Sequence, residues 1–378
     1  MSPLRRCAAL VAATAVSLAL VGCGRTAETS GSPDRPANAD GRVARGDATR
    51  FVSTTGNDAN TGSQDKPWLT IARGLRDARP GTTLVLAGGA YVGPLTTTQA
   101  GTRDAPIVIR SAPGQRAELR AAGQDRAIEV ASGSAFVVFD AIDFTGATGA
   151  SSTNIYVSGS AHDITFRSCE VSGSQRQGFF SERTTRAVQV VGCSFHDNGG
   201  AGPDNLDHNL YVEGEDHLIV NNIIASARNG YGIQLYPLAR NVVVANNTIV
   251  DNRSGIIVGA DEGGRTSGVR VVNNIIARNE RTGVSSYWGD GVPGTGNVVR
   301  GNLLHKNGER DIERSAGGLD VAENKIGDPK FVDLGTRDLR LQAGSAAIDA
   351  ALAIFEPGTD FTGIDRDSGP TDIGALER

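Results

Sequence analysis

The chain has 378 residues, of which 39% are hydrophobic and 5% aromatic, with 49 glycines and a formal net charge of -5. It has no excess of basic residues to neutralise phosphates, which excludes a nucleic-acid partner. Its apolar residues are too many and too regular for a disordered chain, and its length suits one large domain or two ordinary ones.

The chain opens on a targeting segment. Arg5 and Arg6 precede an apolar run from Ala8 to Val21, too short for a stable membrane span, which ends in Leu20-Val21-Gly22-Cys23. That ending resembles the bacterial lipobox. The resemblance implies a signal peptide over 1–22, lipidation of Cys23 and an extracytoplasmic place in the cell envelope, with membrane contact through the N-terminal lipid only. Residues 23–50 are rich in Gly, Ser, Thr, Asp, Pro and Ala and cannot bury a core, so a flexible tether is expected there. Cys169 and Cys193 are then the only other cysteines of the mature chain, and nothing in their spacing suggests zinc. In an oxidising compartment they either bridge or remain buried thiols.

From Thr70 to Ala78 a short helix is expected, capped by Thr70 and stopped by Pro80-Gly81, covering a first coil at Thr83 to Ala87. Beyond it the chain repeats. Cys169, Cys193, Asn222, Asn247, Asn274 and Asn302 occupy equivalent places about 22 to 29 residues apart, the range of a β-solenoid coil. A second series runs through Asn198, Asn252, Asn279 and Asn307. Short β-branched runs flank each asparagine, and no segment between them has the length of a crossover helix. The reading is all-β: a parallel solenoid over 51–327 whose asparagines stack as ladders, closed by a C-terminal capping element over 328–378.

Aligning the strands after each glycine-rich turn, and letting side chains alternate faces, sends two rows outward. Tyr156, Phe180, Tyr211 and Gln234 form one; Ser158, Glu182, Glu213, Tyr236 and Tyr287 form the other, with Tyr231 and Trp288 flanking the same strands. Four of the six tyrosines fall in these rows. Rings with polar tips suit sugar stacking, which makes Tyr156, Phe180, Gln234, Tyr236, Tyr287 and Trp288 candidate substrate-binding residues. Glu182 and Glu213 are candidate ligands for a calcium ion, the one cofactor the sequence suggests. One coil is irregular: the insertion from Gly199 to His208 sets Asp207-His208 beside Tyr211 and Glu213, one coil from Arg183.

Val52-Ser53-Thr54-Thr55-Gly56-Asn57-Asp58-Ala59-Asn60-Thr61-Gly62-Ser63, Pro67-Trp68-Leu69-Thr70-Ile71 and Pro80-Gly81-Thr82-Thr83-Leu84 resemble the opening of pectate-lyase-like right-handed parallel β-helix proteins. Asp328-Pro329-Lys330-Phe331, Gly344-Ser345-Ala346-Ala347-Ile348-Asp349 and Asp372-Ile373-Gly374-Ala375-Leu376-Glu377 are similar to the C-terminal element of many secreted β-helix proteins, with Ala346 where proline is usual. The resemblance implies a right-handed helix and a polysaccharide partner, but leaves lyase, hydrolase, C5-epimerase and non-catalytic binder open. Elimination on a uronate needs a carboxylate neutraliser, a base and an acid. Arg183, or calcium on Glu182 and Glu213, serves the first; His208, beside Asp207, the second; Tyr211 the third. Asp207-His208 also resembles the Asp-Pro-His of mannuronan C5-epimerases, without the proline. The lysine base of several β-helix lyases has no counterpart, since no lysine lies between Lys66 and Lys306. Paired carboxylates for hydrolysis, Glu182 with Glu213 or Asp204 with Asp207, stay open. The expectation is a monomeric lyase acting on an acidic polysaccharide, with a carbohydrate-binding or envelope-scaffold lipoprotein and a uronan C5-epimerase as alternatives.

Overall fold

The computed structural model describes residues 48–200, 206–261, 263–355, 357–366 and 369–378. The signal peptide, the Cys23 lipidation, the tether as far as residue 47, and Asp204 lie outside the described residues. The strand Ala48–Val52 takes in the last three residues expected in the tether and pairs with Thr82–Leu86.

Short apolar runs broken by sharp turns cannot bury themselves within one repeat, so successive repeats stack. Each coil contributes strands to three parallel sheets, with 11, 9 and 10 strands among the described residues. One central coil supplies Leu218–Val220 to the first sheet, Ile223–Ala225 to the third and Tyr231–Arg240 to the second. The solenoid expected from the repeat is therefore present, and its last paired strand ends at Ile326.

The core is a set of columns running along the axis. Ile155, Phe179, Leu210, Ile233, Ile256 and Val284 stand in register through the second sheet, all buried. Phe139 and Phe166 stack at 5.0 Å, with Phe144 and Phe179 packed edge-on to Phe166. Such ring pairs add to the hydrophobic burial of each residue.

Both asparagine ladders form, and at the turns they replace the sheet hydrogen bonds. The Oδ1 of Asn247 accepts the backbone and side-chain N–H groups of Asn222, each at 2.9 Å, and Asn274, Asn302 and Asn324 repeat the pattern. Cys169 and Cys193 continue this ladder as free, buried thiols, with the Cys193 Sγ accepting the Cys169 N–H at 3.4 Å. In the second ladder Asn209 bridges Asn198 and Asn252, filling the gap in the series.

The short helix Ile71–Asp77 covers the N-terminal end as expected, and the Thr70 Oγ1 accepts the Arg73 N–H at 3.1 Å. Thr70 also donates to Asp58 at 2.8 Å. Thr70→Ala removes both bonds and should cost about 1 kcal/mol of stability, read as a lower urea midpoint at unchanged slope.

The C-terminal element does more than close the end. After an antiparallel pair, Phe331–Asp333 with Asp338–Leu341, it runs back along the outside of the coils. Ala347, Ala350, Ile373 and Leu376 pack on Ala225, Val250, Ile275, Ala277 and Leu303 of the third sheet, while Phe355 packs on Val220, Ala245 and Val272 of the first. Asn273 exchanges hydrogen bonds with Leu352 at 2.9 and 3.0 Å, and buried Arg366 ties the Asp372 and Gly374 carbonyls to Glu377. The second sheet contributes to neither covered patch.

Candidate active site

The outer face of the second sheet, outside both patches, carries the outward rows, and the first of them keeps the register expected. Glu129, Tyr156, Phe180, Tyr211, Gln234, Ile257 and Ser285 pair in succession. Their ring packing differs from the expectation. Arg126 lies over the Tyr156 ring at 3.7 Å, Phe180 packs beside Tyr156, and Tyr211 stacks on Phe180 at 4.7 Å. Arg126 covers one face of Tyr156 and Tyr211 one face of Phe180, which leaves less ring face for a sugar than two separately exposed aromatics would offer. Trp288 is also corrected. It sits in the inward phase of its strand, buried, with its Nε1–H donating to the Gly317 carbonyl at 3.1 Å.

Tyr287 is an exposed ring and Tyr236 beside it is half-buried. Their centroids lie 6.5 Å apart, and Tyr287 is 53% exposed. Gly259 sits between them, where a Cβ would approach the Tyr287 carbonyl to 2.6 Å and Tyr236 Cδ2 to 3.3 Å. Tyr236 is lifted by an irregularity that the repeat did not foretell. Val212 pairs with Leu235 but Gly214 with Ala239, so Tyr236, Pro237 and Leu238 bulge opposite Glu213.

Glu213 occupies the corner made by this bulge. It is 6% exposed, and the Arg183 Nε stands 3.4 Å from its Oε2, while the Arg183 side chain remains 63% exposed. Burial pushes the Glu213 carboxyl up to about 7; Arg183 pulls it down, and the charges of Glu182 and Asp261 raise it further. Asp261 was not picked out from the sequence, although it follows the strand Ser254–Ala260 directly and acts on Glu213, Tyr211 and Tyr236. Burial, then Glu213, Tyr236 and Asp261, hold the Tyr211 phenol well above its ordinary value, so it stays protonated at neutral pH.

The irregular coil is placed differently from the exposed acid–base turn expected of it. His208 is buried, its Nδ1 accepts the Tyr231 N–H at 3.0 Å, and its ring packs edge-on to Tyr211 at 5.7 Å. Burial pushes its pKa down to about 3, opposed by the Gln234 amide and reinforced by Arg176. A buried, neutral imidazole with one nitrogen already engaged is a weak base. Asp207 is fully buried and bound to the Arg176 Nε at 2.9 Å. Gln234 stands in its row beside them, its amide oxygen buried and facing His208.

Calcium takes six to eight oxygen ligands. The oxygens of Glu182 are engaged by the Tyr156 hydroxyl and, at 2.7 Å, by the Gly159 N–H, while Glu213 faces Arg183. Among the described residues no three His, Cys, Asp or Glu side chains converge as metal ligands. The donor set at Glu182 and Glu213 does not fit the expected calcium ion.

Comparison with known proteins agrees with this architecture. Residues 50–286 match the model of the Pel9A-like right-handed β-helix region. Among solved structures, pectate lyase Pel9A aligns with a TM-score of 0.63 and 16% identity, covering 88% of this chain and 96% of its own. A rhamnogalacturonan lyase aligns with a TM-score of 0.59 and 14% identity, over 76% and 91% of the two chains. A glycoside hydrolase aligns with a TM-score of 0.57 and 12% identity, over 78% and 99%. At these identities the likeness is one of fold. Uncharacterized protein YwoF of Bacillus subtilis (strain 168) is 36% identical over 61 residues, a stretch covering 16% of this chain and 13% of that protein. With well over half of its length matched by the family model, the chain belongs to the Pel9A-like right-handed β-helix family.

Proposed function

We propose that this protein is a polysaccharide lyase of the cell envelope that cleaves a uronate-containing polymer by β-elimination on the open face of the second sheet. The observation that carries the reading is the juxtaposition of Arg183, Glu213 and Tyr211, a cation, a carboxyl raised to about 7 and a protonated phenol. Glu213 and Tyr211 point to the same side of one strand, about 7 Å apart along it.

In this reading Arg183 binds the substrate carboxylate and stabilises the charge that develops as the C5 proton leaves. Ionised Glu213 takes that proton, and the C5–H electron pair becomes the C4–C5 double bond. The C4–O bond breaks, and Tyr211 donates its hydroxyl proton to the departing oxygen. Solvent then restores both groups. Moving Arg183 onto the substrate withdraws the interaction that lowers the Glu213 pKa, so the base strengthens as substrate binds. Tyr236 and Tyr287 hold neighbouring sugars.

The test is incubation of the mature domain with pectate, rhamnogalacturonan, alginate and glycosaminoglycans, following the ultraviolet absorbance of unsaturated uronate. A rise on at least one of them, abolished in Arg183→Ala, is expected. Tyr287→Ala should raise KM about 5- to 20-fold with kcat little changed, the loss of one stacking contact. Polymer retention without any rise in absorbance, weakened by Tyr287→Ala, would instead assign the Tyr236–Tyr287 pair to a non-catalytic carbohydrate-binding protein.

A further inference from the structure

Beneath the carboxylates lies a polar device that neither the repeat nor the proposed chemistry has used. His217 belongs to an inward column. The pairings of Thr165, Gln189, Leu218, Val243 and Arg270 set Ile164, Val188, His217, Val242 and Val269 one above another. All are buried. Valine or isoleucine fills every other place in this run, so packing alone does not call for an imidazole, whose burial carries a desolvation penalty.

Hydrogen bonding accounts for the exception. The Val188 N–H donates to Nδ1 at 3.0 Å, which leaves the proton on Nε2, and Nε2–H donates to the Glu213 carbonyl at 2.8 Å. The Thr185 hydroxyl stands 3.3 Å from the same nitrogen and donates to the Glu182 carbonyl at 2.6 Å. Ser181 adds a second bond to the Glu213 carbonyl at 3.0 Å. Gly214 lets the imidazole approach: its φ is +94°, and a Cβ there would meet His217 Nε2 at 2.6 Å and the Thr185 carbonyl at 2.5 Å.

We propose that His217, with Thr185, is a positioning residue that clamps the backbone of Glu213 and Glu182 from inside the coil and so holds the Glu213 carboxyl in its sheltered corner against Arg183. The proposal rests on the assignment of Glu213 as the base. It adds a determinant on the core side of the sheet. With the His217 bond removed, the Glu213 carbonyl keeps only the Ser181 hydroxyl, so its peptide turns more readily and its carboxyl gains access to solvent. The charged and titratable groups facing Glu213 are Arg183, Glu182, Asp261 and Tyr211.

The test compares His217→Val, which matches the column, with His217→Gln, which keeps an acceptor and a donor. The Glu213 carboxyl is titrated by 13C NMR, and turnover is measured on the polymer that the wild type cleaves. In His217→Val the Glu213 midpoint should fall by about one pH unit or more, and kcat by about 10- to 100-fold with KM within about threefold. His217→Gln should recover most of both. A folded His217→Val with wild-type midpoint and kcat overturns the proposal. If that variant does not fold, Thr185→Val decides by the same readouts, with a smaller fall in both supporting the clamp and unchanged values overturning it. If the wild type cleaves no polymer, the lyase reading fails while the NMR titration still decides the clamp.

Discussion

Glu213→Gln should lower kcat on the uronate polymer by about 10²- to 10⁴-fold while leaving polymer binding nearly intact, because the amide keeps the shape of the carboxyl and cannot accept the C5 proton. In the wild type kcat/KM should rise with pH through about 7, where burial places the Glu213 carboxyl of the free enzyme, since the base is ionised above that value and protonated below it. The Gln variant should lack this limb. The same shift predicts a stability effect of opposite sense. The folded state holds a proton on Glu213 that an unfolded carboxyl releases near 4.5. The associated stability is full at pH 4 and is lost as pH rises through 7, by up to about 3 kcal/mol. Glu213→Gln should therefore be more stable than the wild type at pH 8 and no more stable at pH 4. Thermal melts at the two values check it.

Asn247→Ala should be the most damaging of the ladder substitutions. Its Oδ1 serves both N–H groups of Asn222, and its Nδ2 serves the Ile219 and Ala245 carbonyls and the Asn274 amide. Alanine replaces none of these, and there is no solvent at this depth to take over. Unpaired buried groups carry about 1–3 kcal/mol each, so the loss should be roughly 2–6 kcal/mol. Denaturant melts should show it as a lower midpoint. Cys193→Ser, at the edge of the same ladder, should cost less, because serine retains an acceptor for the Cys169 N–H.

These two residues mark what could and could not be read ahead of the structure. The ladders and outward rows were legible because a turn asparagine and a two-residue alternation are local signals, and stacking copies them from coil to coil. The row from Tyr156 to Gln234 therefore appeared with its expected register. Trp288 was legible too, since it shares the inward phase of Ser286, but its ring chemistry outweighed its phase. His208 was not legible. Its burial follows from Asn209 joining the second ladder and from Gly230 packing so closely that a Cβ there would lie 1.8 Å from the Asp207 carbonyl. Both contacts depend on how an irregular coil closes on its neighbours. The rise in the Glu213 pKa has the same origin, because the bulge at Tyr236 to Leu238 and the charges on neighbouring turns create its surroundings. The bonds from the Tyr156 hydroxyl and the Gly159 N–H to Glu182 were not legible either, because they join neighbouring coils rather than positions in one repeat.

The C-terminal element gives the open face its meaning. Its apolar side covers outer faces of the first and third sheets over the central coils, leaving the second sheet outside both patches. Glu213, Tyr211 and the Tyr236–Tyr287 pair all lie on that second sheet.

The most direct measurement is the mass of the product released from a uronate polymer by the mature domain. β-Elimination predicts oligosaccharides whose new non-reducing ends are unsaturated, each lighter by one water than a hydrolysis product, and their loss in Glu213→Gln. Fully hydrated products, or a polymer of unchanged length with inverted C5 centres, would contradict the account.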